Sequence, residues 1–489
     1  MAWLDVMAIA GYGLAVLLFG LVAGGRTETS SDYFLAGRKE AWGPVAASTW
    51  ATKLSALTFI GVPGAAISGN FAYLQLWFGS FLAAYLVAVI FLPEFYRLQV
   101  STVYEYLGRR VGPLTRLSGT VVFIISRCLA SAVRLAGCAI AVSVFFDVGL
   151  VQAIVLIAGL AAVYVLSGGL RAVIWTDVLQ LVLFLAGAVA TIVFVGTTLS
   201  GGFQQIADAG AAANMFQVFD FSFSLSDPTT FWLGNLFAVV LGLATGGADQ
   251  DIAQRALACP NVKQARIAVI AAGAADLVST FLFLTAGAAV FAYYESFPQD
   301  AVAALMAEGR HDYVFPHFIR HELPEGLRGL LIAALLAAAM SSLDSALSGL
   351  ASSAHYDLRL SQPTSAGQSA ITPRGLVVIF AIILACIAIW FGNQPGILWF
   401  GLQIMGYTYG GLLGLFLIAL FFSRYVNDLS CVIAVFTSIC VVLIATQWGL
   451  GFGPVPWPWA VIIGVSWTCG LALVLARVFS RSDAKPEGI

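Results

Sequence analysis

Apolar runs long enough to cross a bilayer follow one another along almost the whole chain, and a chain built that way has few ways to fold. The hydrocarbon core offers no water to satisfy backbone amides. A spanning segment of about 20 residues therefore closes its hydrogen bonds on itself as a helix. Hydropathy places about thirteen spans, at 3–24, 41–64, 70–92, 116–146, 149–167, 173–198, 229–247, 266–293, 327–355, 372–391, 397–422, 429–449 and 457–478. Of the 489 residues, 60% are hydrophobic and 10% charged, a balance that fits no soluble globular class. The fold class is thus an all-α integral membrane protein, with the lipid bilayer as its solvent. A net charge of −2 leaves no footprint for nucleic acid. The seven cysteines form no CxxC pair and read as free membrane thiols. Val6–Ala23 has no basic segment before it and reads as a retained helix rather than a signal peptide.

Charge placement orients the spans. With the N-terminus outside, only Arg310, Arg320 and Arg328 of the 23 lysines and arginines fall on outer segments. Lys53, Arg127 and Arg134 fall inside spans, and all the others, Arg26, Arg359 and Lys485 among them, fall on inner segments. The positive-inside rule then predicts an outer N-terminus and a cytoplasmic C-terminus, in the cell's inner (plasma) membrane.

Two spans are interrupted. The second, STWATKLSALTFIGVPG from Ser48 to Gly64, is crowded with polar residues and closes on Gly61 and Pro63. The seventh contains LGLATGGADQDIAQR from Leu241 to Arg255, with Gly242, Gly246 and Gly247. Each heads a block of five spans, and because five is odd the second block enters from the opposite side. Matching breaks at the heads of two inverted halves predict a binding site at the midplane, where freed carbonyls can hold a cation. The expected organisation is an extra helix in 1–30 and a transport core in 31–428. The core holds repeats of about 40–198 and 229–428, with an outer loop at 294–326. Two further helices and a short tail follow in 429–489.

The ninth span carries AAAMSSLDSALSGLAS from Ala337 to Ser352. Ser341, Asp344, Ser345, Ser348 and Ser352 recur at helical spacing and form one stripe. Serines alone let helices pack closely. A carboxylate at membrane depth costs several kcal/mol unless paired or solvated, and hydroxyls beside it are hard oxygen ligands for a small cation. The stripe predicts a cation site in a membrane transporter.

DYFLAGR at 32–38, TVYEYLGRR at 102–110, SGGLRAVIWTDVLQ at 167–180, ADQDIAQR at 248–255 and MSSLDSALS at 340–348 together resemble the sodium/solute symporter family. The resemblance implies a LeuT-like five-plus-five core with one helix before it and two after, alternating access, and uptake driven by the sodium (Na+) gradient. It implies a principal sodium site at Ala51, Leu54, Ala338, Ser341 and Ser342. It also implies a second one, found in some members, at Asp177, Ser341, Asp344 and Ser345. Asp344 stands where well-known members have a hydroxyl, which leaves three roles open: a second sodium, a proton, or a nearby cation. Asp177 also reads as a helix cap. The resemblance places an arginine near Arg134 in members that take acidic sugars.

Arg127 and Arg134, seven apart, share a face of the fourth span, and a guanidinium suits a substrate carboxylate in bidentate geometry. Arg134 is the expected solute ligand of the two, while a buried carboxylate is the alternative partner. Gln75 on the third span is a further solute candidate. Lys53, between Ala51 and Leu54, binds an anionic solute, replaces a coupling sodium, or pairs with Asp344; the first is the reading adopted. Asp249, Gln250, Gln254 and Arg255 read as gate or loop anchors. His317 and His321 lack the glutamate of a metal-binding HExxH and read as part of a gating loop.

The function expected is sodium-coupled import of a small polar, carboxylate-bearing organic solute. A transporter-like sensor and an uncoupled channel are the other readings that keep the fold. An enzyme needs a nucleophile–base pair or metal triad inside the spans, and the sequence shows neither.

Overall fold

The computed structural model describes residues 2–24, 29–358, 372–392, 397–448 and 454–482. Arg26, Arg359 and Lys485 of the expected inner set lie outside the described residues. No strand occurs among those described.

Helix α1 covers Trp3–Gly24. The second span is split into α2, Trp42–Lys53, and α3, Ala56–Ser68, bent by 57°. Then come α4 over Phe71–Arg97, α5 over Pro113–Phe146 and α6 over Leu150–Thr198. A short helix α7, Gly202–Ala212, precedes the second interrupted span, α8 over Phe231–Leu243 and α9 over Gln250–Leu257. Further along come α10, Val262–Ser296; the short α11, Val314–His321; α12, Leu327–Tyr356; α13, Pro373–Phe391; α14, Ile397–Leu417; α15, Asp428–Gln447; and α16, Trp459–Ser482.

Eleven of the described helices are long and apolar enough to cross a membrane, and twelve if the bent pair counts as one span. The fifth and sixth spans of the sequence reading form one helical run, Leu150–Thr198, with a single break at Gly169, φ +61°. A Cβ at Gly169 would sit 2.6 Å from the Tyr33 carbonyl oxygen, so only glycine makes this turn.

Both interruptions are local losses of helical hydrogen bonding. Leu54 and Ser55 are extended, with ψ of 124° and 175°. Between α8 and α9 a π-turn at Ala244–Ala248 leads into extended Asp249. The second break lies at its glycines and the first in the polar run, at Leu54 and Ser55, while Gly61 and Pro63 fall inside α3.

The distribution of polarity is that of a membrane protein turned outward. Val182, Ile382 and Val163 are each about 60% exposed, whereas Arg127, Asp177, Asp249, Asp251 and Arg255 are buried. Helix α1 belongs to this body rather than standing apart. Buried Asp5 accepts hydrogen bonds from Gly326 N at 2.9 Å and Gly329 N at 3.0 Å at the start of α12, and from Arg328 Nε at 2.8 Å.

Candidate functional site

The two breaks and α12 enclose the chemistry. A central cavity of about 250 Å³ is lined from α2, α4, α5, α8, α10 and α14. Its apolar walls include Tyr73, Trp77 and Phe237, and its charged side chains are Lys53, Arg127, Arg134 and Asp276. That composition, mostly apolar with a few convergent polar groups, and its size suit a small organic solute.

The charged groups differ in how far they are committed. Arg127 is buried; its Nη1 lies 3.2 Å from Asp249 Oδ2 and its Nη2 contacts Asp251. Tyr409 donates to Asp249 Oδ2 at 2.6 Å. Asp251 also receives Arg255 Nη1 at 3.0 Å. Lys53 Nζ donates to Asp276 Oδ2 at 2.8 Å. Arg134 lines the cavity without a hydrogen-bond or salt-bridge partner among the described residues. Its other side borders a small gap shared with Ser131 and Ser342.

Behind the α2–α3 break a second small cavity is lined by Ala51, Leu54, Ala338 and Ser341, with Gln180, Leu181 and Phe184. Ser341 Oγ lies 3.1 Å from Ala51 O and 3.4 Å from Ala338 O. Ser342 Oγ lies 3.2 Å from Ala338 O. Hydroxyl and carbonyl oxygens therefore converge there, and an all-oxygen set is what a hard monovalent cation takes. Leu54 lines both this cavity and the central one.

Around Asp177 the arrangement is different. Asp177 Oδ2 accepts from Ser48 Oγ at 2.5 Å and from Arg255 Nη2 at 3.0 Å. Arg255 also donates through Nε to Ser48 Oγ at 2.8 Å and through Nη2 to Ser345 Oγ. Asp177 Oδ1 and both oxygens of Asp344 are buried without a hydrogen-bond partner among the described residues.

The profile of the sodium:solute symporter family matches residues 33–430. The chain belongs to this family. Among the symporter's relatives, the sodium/sialic acid symporter SiaT of Proteus mirabilis is 30% identical over 454 residues, 91% of this chain and 89% of the relative. The sodium/sialic acid symporter NanT of Aliivibrio fischeri is 28% identical over 450 residues, 90% and 87%. The rabbit (Oryctolagus cuniculus) sodium-dependent multivitamin transporter is 28% identical over 486 residues, 98% and 76%. A solved structure of a Na+-coupled sialic acid symporter, substrate-bound and outward-open, superposes with a TM-score of 0.86 at 26% identity, covering 98% of each chain. The nucleobase-cation-symport-1 transporter Mhp1, in a closed conformation, shares the fold, with a TM-score of 0.62 at 13% identity and coverage of 93% and 96%. These relatives are sodium-coupled or cation-coupled transporters, not enzymes, and the symporter carries sodium together with a solute.

Against this geometry, the sequence-derived residues separate. Ala51, Leu54, Ala338 and Ser341 share one small cavity, with Ser342 one turn away on the same helix. Asp177 and Ser345 are brought together, but through Arg255, whose guanidinium bonds both. Lys53 does not pair with Asp344. It ends α2 pointing at α10, where Asp276 takes it. Gln75 does not line the central cavity. Its amide donates to Thr229 O and accepts from Asp220 N, so it anchors the loop that precedes α8. His317 bonds Tyr294 Oη at 3.1 Å, and its ring lies 4.4 Å from that of His321. Burial and then His321 hold the His317 imidazole below its ordinary range. No group of three or more potential metal-binding His, Cys, Asp or Glu side chains occurs among the described residues. Asp276 was missed in the sequence, although the rule that singled out Lys53, an ionisable group inside a span, applies to it equally.

Proposed function

We propose that this symporter imports a small carboxylate-bearing organic solute of the sialic acid kind with sodium, by alternating access across the plasma membrane. The observation that carries this reading is Arg134, a cation facing the central cavity with no hydrogen-bond or salt-bridge partner among the described residues. An uncompensated guanidinium at membrane depth is costly, and a bidentate carboxylate ligand removes that cost. Sialic acid symporters among the relatives agree with it.

Coupling follows from adjacency. Arg134 borders Ser342, and Leu54 borders both the solute cavity and the cluster of Ala51, Ala338 and Ser341 oxygens. A sodium ion there and a carboxylate on Arg134 each order the same helices, so each raises affinity for the other. The two matched breaks support the inverted five-plus-five core of 31–428, with α1 before it and α15 and α16 after. Charge placement supports the outer N-terminus. In that orientation the Arg127–Asp249–Asp251–Arg255 network, which follows the inner end of α8, closes the inner side of the central cavity. Asp177, Asp344 and Ser345 form the second cation locus, filled by Arg255 in this state.

The test is a thermal-shift titration of the purified symporter with sialic acid in sodium and in N-methylglucamine buffer. A stabilisation that needs both sodium and sialic acid supports the reading. Sialic acid stabilisation of equal size in either buffer removes the coupling. In the same assay Ser342→Ala is expected to raise the sodium half-saturation about tenfold, the loss of one neutral ligand worth roughly 1.4 kcal/mol, with the sodium-free melting temperature little changed. An unchanged half-saturation excludes Ser342 from the ion's shell.

A further inference from the structure

The Lys53–Asp276 pair is a strange thing to find in a solute cavity. Two charges that neutralise each other add nothing to the net attraction for an anion, which Arg134 supplies alone. They do add hydrogen-bonding capacity. An ammonium has three donors, and Lys53 places one, on Asp276 Oδ2. Asp276 Oδ1 is buried and has no hydrogen-bond partner among the described residues. The side chains keep 30% and 17% exposure, against 2% and 0% for Arg127 and Asp249, the other charged pair reaching this cavity. One pair is sealed into the fold, and the other is open to what enters.

Position adds a second argument. Lys53 is the last residue of α2, beside the break, and Asp276 sits in α10, which packs along α2 and α3. Arg134 sits in α5, which packs against α12, α13 and α14. The free cation and the ion pair therefore belong to two different helix groups that meet at the cavity. A solute that touches only Arg134 engages one group. A solute that also touches the pair ties the two groups together, and this is what closure around a cargo requires.

We propose that Lys53 and Asp276 form a second polar subsite of the solute cavity, and that it restricts the cargo. The solute carries, besides its carboxylate, a hydroxyl or amide that donates to Asp276 and accepts from Lys53. A carboxylate with a purely aliphatic tail leaves both groups dehydrated and unmatched. Sites built to hydrogen-bond a substrate group reject analogues that lack it far more strongly than apolar pockets reject a missing methylene. This rests on the carboxylate reading of Arg134 given above, and names the rest of the solute.

The experiment measures sodium-dependent binding of two probes, sialic acid and butanoate, to the wild type, to Arg134→Gln and to the double variant Lys53→Met with Asp276→Leu. The double variant removes both charges, so neither is left buried alone. Its sodium-induced melting shift reports folding; should it not fold, Asp276→Asn takes its place. The wild type is expected to bind sialic acid at least tenfold more tightly than butanoate, including the case in which butanoate binding is undetectable. The double variant is expected to lose at least tenfold in sialic acid affinity and no more than twofold in any butanoate affinity. Retention of sialic acid affinity within threefold overturns the subsite, as does equal wild-type affinity for the two probes. An Arg134→Gln protein that still binds sialic acid normally refutes the carboxylate reading but leaves the subsite's own result standing. A wild type that binds neither probe refutes both.

Discussion

Arg255→Met is expected to destabilise the folded protein by about 3–5 kcal/mol, the cost of leaving a buried carboxylate without its partner. The carboxylate concerned can be named. Asp251 shares Arg255 with Arg127, and keeps Arg127 when Arg255 is gone. Asp177 has only Ser48 left, with its second oxygen already unpartnered among the described residues. Adding Asp177→Asn to Arg255→Met should therefore recover much of the loss, whereas adding Asp251→Asn should not. Thermal unfolding of the four proteins checks this. The same substitution has a second signature. Without the guanidinium, Asp177, Asp344 and Ser345 make a buried oxygen cluster with two carboxylates and no counter-charge. Sodium should then stabilise Arg255→Met more than it stabilises the wild type. Equal sodium stabilisation of both proteins would mean that Arg255 does not stand in for an ion.

Arg134→Gln is expected to lower affinity for a carboxylate solute by roughly 10- to 100-fold, the worth of a hydrogen bond to a charged group at about 1.5–3 kcal/mol. Sodium alone should still shift the melting temperature, because the hydroxyls and carbonyls of the α2–α3 break and α12 are untouched. Arg134→Lys should recover only part of the affinity, since an ammonium keeps the charge but not the planar fork. Calorimetric titration with sialic acid separates these cases. Because Arg134 has no hydrogen-bond or salt-bridge partner among the described residues, its removal breaks no known pair, and the melting temperature without ligand should fall little or rise.

The sequence made the helices legible for a simple reason: a bilayer forces every spanning segment to be apolar and about 20 residues long. The breaks were legible too, because Gly246, Gly247 and the polar run Ser48–Ser55 are unlike ordinary spanning helix, whereas Pro63 sits inside α3. The fifth and sixth spans run on as one helix that only Gly169 breaks. In the site, spacing along one helix placed Ser341, Asp344, Ser345, Ser348 and Ser352 on one stripe. Spacing says nothing about which distant helix lies opposite. Lys53 and Asp276 are 223 residues apart, and Asp177 and Arg255 are 78 apart. Those partnerships are set by how helices cross, so Asp344 was a reasonable partner for Lys53 on paper and the wrong one in space. Gln75 failed similarly. A polar residue near the end of a span reads as a ligand, and the fold spends it on the loop at Asp220 and Thr229.

The central claim is that a sodium gradient drives a carboxylate solute through this protein. Uptake of labelled sialic acid into proteoliposomes tests it most directly. With an inward sodium gradient the internal solute should rise above the external concentration. It should fall back to equality when the gradient is collapsed by a sodium ionophore, and Arg134→Gln vesicles should show no accumulation. Equilibration that never exceeds the external concentration, at the same rate with and without sodium, would contradict the account.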